Sequence, residues 1–568
     1  MIQRGRVPLM TKILLIKVPI CYFPSPKALE ILKENYATRS AFHFGPSLAL
    51  ALIDGSLKHY LTCDFELTVK DINTASISEK KYLMEEYFEH IENVFKDNYD
   101  IVLISCQYMF NQSWVNYTVD LAHKLNPNAK IIVGGGFATI FPEKAVSSPF
   151  VDYAVIGEGE VTTVHIINKI LCITDIDFEN KYPFDGYAEK LPNGECKIVD
   201  KKTFITDLEN HPTPDWSWLP IDRIAGDKAD VTFYGLPVMC TRGCPHNCSY
   251  CSTKSYWGRR FISDPVGKVI NEILSIYKQY GITKFHIVDD NPALNNKWFL
   301  NLCKSIQELP EEIEIMFSNF SIKSMNSEII EALKNIRQEK ITIAIETGSQ
   351  EMQKTIKKDL NLENIREKVK LIRESGLKVH ACWMIGFPNE TLDQIKQTTK
   401  MAVAIQTDSI QVFPVFPFPG TEMYRVAKGQ NLINLDENDF DTMRQHTPGK
   451  ILSSEWDGEL LSQIAYDTQI EANFLNNPAY DTESGRQDMR DYLKGLIIRL
   501  PDHPIISICL GYLEHILDKN EESRSSYYHK ALELLNSESS FFRKYVNWDF
   551  PQLKDFESWL SENSEIAR

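Results

Sequence analysis

Between residues 240 and 251 the chain reads Cys240-Thr-Arg-Gly-Cys244-Pro-His-Asn-Cys248-Ser-Tyr-Cys251. Cys244, Cys248 and Cys251 are spaced so that one short loop presents three thiolates, enough to hold three irons of a 4Fe-4S cubane. The fourth iron of such a cluster stays open to a small chelating ligand. That suits chemistry at the metal better than storage of an electron. Two other readings compete. A zinc site needs a fourth ligand, which Cys240 or His246 could supply, but no distant second Cys-x-x-Cys knuckle accompanies it. Inert buried thiols are the other reading, and so dense a group of cysteines argues against it. Cys240 falls outside the three-cysteine spacing and is expected to be structural.

Further groups stand at the ends of strand-like stretches. Asp289-Asp290-Asn291 closes one of them, and reads either as a ligand-facing acidic group or as a cap before Pro292. Gly134-Gly135-Gly136 closes another, where glycine lets backbone approach a ligand closely; a plain tight turn is the alternative. Arg242 could put a cation near the cysteines but is expected to be a solvated side chain. Cys303, Cys382 and His286 lie in apolar stretches and are expected in the core.

These groups need elements to carry them. Apolar runs at 13–18, 66–69, 100–105, 130–133 and 151–156 alternate with helical stretches. That pattern predicts a parallel sheet covered on both faces, with ligands beyond the carboxyl ends of the strands. Prolines at 183, 192, 212, 214 and 220 make residues 176–230 read as a connector. From Val231 a second alternating pattern runs through strand-like stretches at 238–240, 284–289, 314–317, 341–345, 378–385 and 409–413. Six such units suit an incomplete barrel better than a closed one of eight. Beyond about residue 430 the strand signal fades, and 503–534 reads as one tetratricopeptide-type helical hairpin.

Composition sets the bounds. The 568 residues are 43% hydrophobic and 24% charged, an ordinary globular balance. The formal net charge of −16, from 61 Lys and Arg against 77 Asp and Glu, argues against general binding of nucleic acid. No apolar run approaches the roughly 18 residues of a membrane span, and Ile13–Leu15 is too short for a signal peptide. The expected location is cytoplasmic, where clustered cysteines read as metal ligands before disulfides.

The cysteine motif, with Tyr250 before its last cysteine, resembles that of the radical S-adenosylmethionine (radical SAM) superfamily. Three further segments match in order: Thr342-Ile-Ala-Ile-Glu346-Thr-Gly348-Ser-Gln350, Met384-Ile-Gly386-Phe-Pro388-Asn-Glu390-Thr391, and Phe418-Pro419-Gly420-Thr421-Glu-Met-Tyr424. The resemblance covers about 231–430. It implies a partial (β/α)6 TIM barrel and a 4Fe-4S cluster on Cys244, Cys248 and Cys251. It also implies SAM contacts at Tyr250, Asp289, Glu346, Gly386 and Glu390, and a reductant such as flavodoxin or ferredoxin.

Ahead of it, Gly45-Pro46-Ser47-Leu48-Ala49-Leu50, Val133-Gly134-Gly135-Gly136-Phe-Ala-Thr139 and Asp152-Tyr-Ala-Val-Ile-Gly157-Glu158-Gly159-Glu160 resemble the cobalamin-binding radical SAM group. This implies a Rossmann-like domain with cobalamin contacts at Ser105, Gly134 and Gly135, although Ser105-Cys-Gln107 departs from that group's Ser-x-Leu. No Asp-x-His-x-x-Gly motif is present, so no histidine stands out as a lower cobalt ligand.

The expected fold class is α/β. The expected domains are a cobalamin-binding-like Rossmann domain at 12–175, a linker at 176–230, a radical SAM partial barrel at 231–430 and a helical C-terminal region at 431–568. The expected function is a cobalamin-dependent C-methyltransferase that uses a 5′-deoxyadenosyl radical on a small molecule or peptide. Alternatives are a radical SAM cyclase or rearrangement enzyme, and a non-catalytic iron–sulfur carrier or sensor. The C-terminal hairpin could also dock a peptide or protein substrate.

Overall fold

Hydrophobic residues at successive positions of one strand must be buried on opposite faces, so a strand apolar throughout needs cover on both sides. β1 (Thr11–Lys17) is such a strand. Leu14 and Ile16 join one core with Val102, Ile104, Ile91 and Trp114, whereas Ile13 and Leu15 join another with Ile101, Leu103, Leu50 and Val164. The computed structural model describes residues 10–18, 46–72, 84–109, 111–221, 235–433, 435, 449–537 and 541–563. Gly45 of the N-terminal motif and the expected start of the second pattern at Val231 lie outside them.

The chain divides into two compact units. The first holds residues up to Phe320, with 332–338 and 417–447. Its N-terminal sheet has β1 paired in parallel with both β2 (Phe65–Asp71) and β3 (Ile101–Cys106). β4 (Lys130–Gly135) and β5 (Tyr153–Val155) follow on the β3 side. The order β2-β1-β3-β4-β5 reverses direction at β1, the switch point where parallel sheets open a crevice. Helices Leu48–Tyr60 and Glu160–Leu171 cover one face; Met84–Val94 and Gln112–Leu125 cover the other.

The expected connector is partly sheet. β6 (Tyr187–Lys190) pairs antiparallel with β5, and β7 (Cys196–Val199) with β6, so they extend the sheet at its β5 edge. The stretch opens with helix Ile176–Lys181; residues 200–220, which hold prolines 212, 214 and 220, form no regular element, and prolines 183 and 192 flank β6 and leave its backbone donors intact.

Further along, β8 (Leu236–Val238) is followed by β9 (Thr241–Arg242) and β10 (Ile262–Ser263), which form a short antiparallel pair. β11 (Lys284–Ile287) lies between β8 and β12 (Glu314–Phe317), all three parallel, and β13 (Asn319–Phe320) is a short strand after them. β8 begins two residues before the expected stretch and stops short of Cys240.

The second unit holds 321–331, 339–416 and 448 onward. β14 (Lys340–Glu346), β15 (Lys378–Ile385) and β16 (Ser409–Pro414) are parallel neighbours with helices Leu362–Glu374 and Leu392–Ala404 between them in sequence. Buried positions, such as Ile341 and Ile343 on β14 and Val379, Ala381, Trp383 and Ile385 on β15, alternate with partly open ones, so one face of these strands is core and the other partly open. The rest is helical, as expected. Pro504–Asp518 and Glu521–Asn536 form the hairpin, and Glu483–Arg499 and Pro551–Glu562 contribute to the same core. Among the described residues no helix is long and apolar enough to cross a membrane.

The hairpin closes because Gly511 has no side chain: a Cβ there would enter the ring of Tyr528, which is fully buried. We expect Gly511→Ala to cost roughly 1–3 kcal/mol through overpacking. Gly495→Ala, on the open side of helix Glu483–Arg499 with nothing near its would-be Cβ, should raise stability by roughly 0.5–1 kcal/mol. Urea unfolding of both variants checks the pair; equal effects would refute the packing account.

Candidate functional site

The cysteine loop is built between two strands. Asp289, just past β11, accepts hydrogen bonds at 2.8 Å from both the Cys240 backbone N–H and the Thr241 hydroxyl. Burial pushes its carboxyl to about 7, against these donors that favour the charge. In this structure Asp289 holds the chain as it enters β9, rather than capping the turn at Pro292. At Gly243 the backbone has φ +82, and a side chain would strike the Arg260 carbonyl, so glycine is required.

The loop then carries Cys244, Cys248 and Cys251, all half-buried and unbridged. Cys251 donates its N–H to the Cys248 carbonyl at 3.2 Å, and Met423 donates to the Ser249 carbonyl at 2.8 Å. Burial pushes the Cys244 thiol to about 11, and both Cys251 and Cys248 lie close enough to add to the shift. The buried Cys240 instead feels Asp289, Glu272 and Asp264, which sets it apart from the trio. Among the described residues no three His, Cys, Asp or Glu side chains converge on a single metal ion. A cubane asks for one thiolate at each of three iron corners rather than three on one ion. The donor chemistry and the shared loop fit such a cluster. Tyr250 sits half-buried in the turn before Cys251.

A cavity of about 330 Å³ opens beyond the carboxyl ends of β3, β4 and β5. Ser105, Gln107 and Gly134–Gly136 line it, as do Gly157–Glu160. Ser105 and Gly134 are cross-strand neighbours, as are Cys106 and Gly135, which is why residues thirty apart in sequence reach one site. Gly135 has φ +89 with the Cys106 carbonyl where a Cβ would be, and a Cβ on Gly136 would come within 3.1 Å of the Tyr256 hydroxyl. Side chains at Gly135 and Gly136 would strike the Cys106 and Gln107 carbonyls, so the close packing of β4's end on β3's end requires glycine at both. Met239, Tyr256 and Trp257 complete the wall. The last two belong to helix Thr253–Trp257, which leaves the cysteine loop directly. Sequence reasoning missed them because a five-residue helix has no readable period.

Arg242 is not solvated. Its side chain is 4% exposed and pairs with Glu158 and, at 2.8 Å, with Glu160. Arg260 also donates to Glu158 at 2.8 Å. Burial alone would push the Glu160 carboxyl up, but the Arg242 charge, His211 and the hydrogen bonds it accepts together hold it below the usual range. The Gly157–Glu160 motif was legible, but its partner was not, because the two lie more than eighty residues apart.

In the second unit, Glu346 ends β14 at a register shift with φ +74, an uncommon and strained backbone state for glutamate. Its carboxylate pairs with Lys358 at 2.8 Å. Gly386, after β15, has φ +87 with Leu461 packed where a Cβ would sit. Glu390 folds back on that loop, accepting from the Gly386 N–H at 2.6 Å and the Phe387 N–H at 2.9 Å. Cys303 is fully buried, as expected, while Cys382 and His286 are only partly so.

Residues 38–167 match the B12 binding domain and residues 238–402 match the radical SAM superfamily. The chain carries a B12-binding domain ahead of a radical SAM domain. An uncharacterized methyltransferase of Pyrococcus horikoshii is 28% identical over 320 residues, 56% of this chain and 67% of the relative. The cytidylyl-2-hydroxyethylphosphonate methyltransferase of Streptomyces wedmorensis is 25% identical over 419 residues, 67% of this chain and 76% of the relative. The anaerobic magnesium-protoporphyrin IX monomethyl ester cyclase of a Synechocystis species is 26% identical over 331 residues, 56% of this chain and 62% of the relative. The solved structure of the cobalamin-dependent S-adenosylmethionine radical enzyme OxsB, with aqua-cobalamin and S-adenosylmethionine bound, shares the fold. Its TM-score is 0.61 at 16% identity, over 97% of this chain and 84% of that one.

Glu390 makes a pH prediction. Burial pushes its carboxyl from 4.5 to about 7. Between those values the folded chain keeps a proton that the unfolded chain has lost, so this group's contribution to stability falls as pH rises across that window. Glu390→Gln should remove a decline of at most about 3 kcal/mol. Urea unfolding of cofactor-free wild type and variant from acid to neutral pH checks it; parallel profiles would refute it.

Proposed function

We propose that this chain is a cobalamin-dependent radical SAM methyltransferase that forms a carbon–carbon bond at an unactivated carbon of a small molecule or peptide. The observation that carries this reading is the helix Thr253–Trp257. It leaves the cysteine loop and supplies Tyr256 and Trp257 to the wall of the glycine-lined cavity, so one stretch of backbone serves both cofactor sites. When bound, the cluster with SAM supplies a 5′-deoxyadenosyl radical and cobalamin supplies the methyl group.

The protein's own residues bind, orient and exclude. Cys244, Cys248 and Cys251 would hold the cluster, and Tyr250 and Asp289 are the nearby residues proposed to contact SAM. Glu346, paired with Lys358, and the Gly386 loop, shaped by Glu390, are the further residues proposed to contact SAM. Ser105, Gly134 and Gly135 would take the cobalamin tail, the two glycines leaving bare backbone at the end of β4 beside Ser105. Met239, Tyr256 and Trp257 keep water from that cavity. Flavodoxin or ferredoxin would deliver the electrons. The working limits are 12–175 for the cobalamin part, 231–430 for the radical SAM part and 431–568 for the helical part.

The cyclase relative favours a second reading, ring formation without methyl transfer. Product counting separates them: methylation yields S-adenosylhomocysteine beside 5′-deoxyadenosine, and cyclisation yields the nucleoside without it. The chain is reconstituted anaerobically with iron, sulfide and cobalamin, then given reductant and SAM. Both products should form, and Cys244→Ala should abolish the nucleoside while the circular dichroism stays that of wild type. A variant that keeps full activity would overturn the ligand assignment.

The cobalamin site has its own test. Ala49, exposed on helix Leu48–Tyr60, lines the cavity. Ala49→Trp should lower cobalamin retention about tenfold or more by filling that space, with cluster absorbance unchanged. Among the described lining residues there is no histidine. Bound cob(II)alamin should therefore show no nitrogen coupling from the protein in its EPR spectrum; such a coupling would refute the site as drawn.

A further inference from the structure

We infer that Arg242, Glu158, Glu160 and Arg260 form a buried charge-paired strut that sets the spacing between the cluster loop and the glycine-lined cavity, with Arg242 as its central positioning residue. The inference rests on the cofactor sites proposed above.

Position is the first argument. Arg242 closes β9 two residues before Cys244. Glu158 and Glu160 flank Gly159 just past β5, and both line the cavity. A single guanidinium thus bridges the loop that carries the cysteines and the loop that floors the cavity. Arg260, on the return toward β10, makes a second tie. It donates to Glu158, to the Ile205 carbonyl and, through Nε at 3.2 Å, to the Trp257 carbonyl. The other oxygen of Glu158 accepts the Ile205 N–H at 2.8 Å. The Arg242 guanidinium also stacks 5.6 Å from the centre of the Trp257 ring, a wall residue of the cavity. Both the strand that enters the cysteine loop and the helix that leaves it converge on these charges.

Burial is the second. The side chains of Arg242, Glu158 and Glu160 are 4%, 0% and 4% exposed. Two cations face two anions, so the group is neutral as a whole. Apolar packing of the same volume would serve stability as well or better, because each charge must be stripped of water. What apolar packing lacks is register. Greasy surfaces can slide by an ångström at little cost, whereas a guanidinium moved that far leaves a carboxylate unpaired in a low-dielectric interior.

Need is the third. A radical formed on one side must meet a group held on the other, and misplacement by about 1 Å can cost on the order of a hundredfold in rate. A strut that resists sliding answers that requirement.

The test uses full-length chain loaded with cluster and cobalamin. Reduced cluster and cob(II)alamin are both paramagnetic, so their dipolar splitting in the EPR spectrum reads the spacing. Wild type should give one resolved splitting. Arg242→Met strands two carboxylates and could fail to fold; Arg242→Met with Glu160→Met is charge-balanced, because Glu158 keeps Arg260. In the double variant each cofactor should keep its own spectrum and occupancy while the resolved splitting is lost. A double variant that binds both cofactors with the wild-type splitting overturns the strut. Wild type that takes up no cobalamin fails the cofactor reading instead. The strut is then read by amide exchange: removing the cluster from wild type should speed exchange across 157–163 about tenfold, a response the double variant lacks. Absence of that response in wild type overturns the inference.

Discussion

A carboxylate with no exposure to water needs charged or hydrogen-bonding partners, and Glu158 is such a carboxylate. Two arginines and a backbone N–H answer it. Removing one partner from a buried pair typically costs roughly 3–5 kcal/mol, so the loops that supply these groups cannot part cheaply. Much of the first unit depends on that constraint. It joins the end of β5, the start of the cysteine loop, the segment around Ile205 and the helix that bears Trp257. The extra strands β6 and β7 follow the same logic at the sheet edge. They lead the chain back past Asp185 and Lys201, which pair in the interior, before it reaches Ile205.

The other recurring device is the absence of a side chain where backbone must come close. Gly135 admits the Cys106 carbonyl, Gly243 admits the Arg260 carbonyl, and Gly386 admits Leu461. At Glu346 the chain takes a comparable backbone turn with a bulky residue, and the strain is retained. A glycine there would relax the backbone but would forgo the carboxylate that Lys358 holds. That contrast marks the end of β14 as a place where a held carboxylate outweighed conformational ease. The ends of β4 and β15 are places where close approach outweighed everything else.

Many of these features are legible in the order of the amino acids. The alternation of apolar runs with helices specifies parallel sheets, because period and burial are local properties of the chain. The cysteine spacing is likewise local, and three thiols on one loop follow from it directly. Ser105 and Gly134 are readable as strand-end residues, and the register of β3 on β4 puts them side by side. Where local reading fails, the cause is distance in sequence. Prolines suggest a connector at 176–230, yet pairing to β5 makes part of it sheet. Arg242 resembles any surface arginine until the glutamates more than eighty residues earlier stand beside it.

Sequence alone determined the class of chemistry, the succession of sheets and helices, and the presence of three thiols on one short loop, since each depends on neighbours within a few turns of chain. Tertiary structure alone decided that Tyr256 and Trp257 wall the glycine-lined cavity and that Asp289 holds the chain entering the cysteine loop. It also decided that Arg242 and Arg260 meet Glu158 and Glu160 and so tie two loops together. Those facts depend on which surfaces meet once water is expelled, and no local pattern of residues encodes a meeting between segments so far apart.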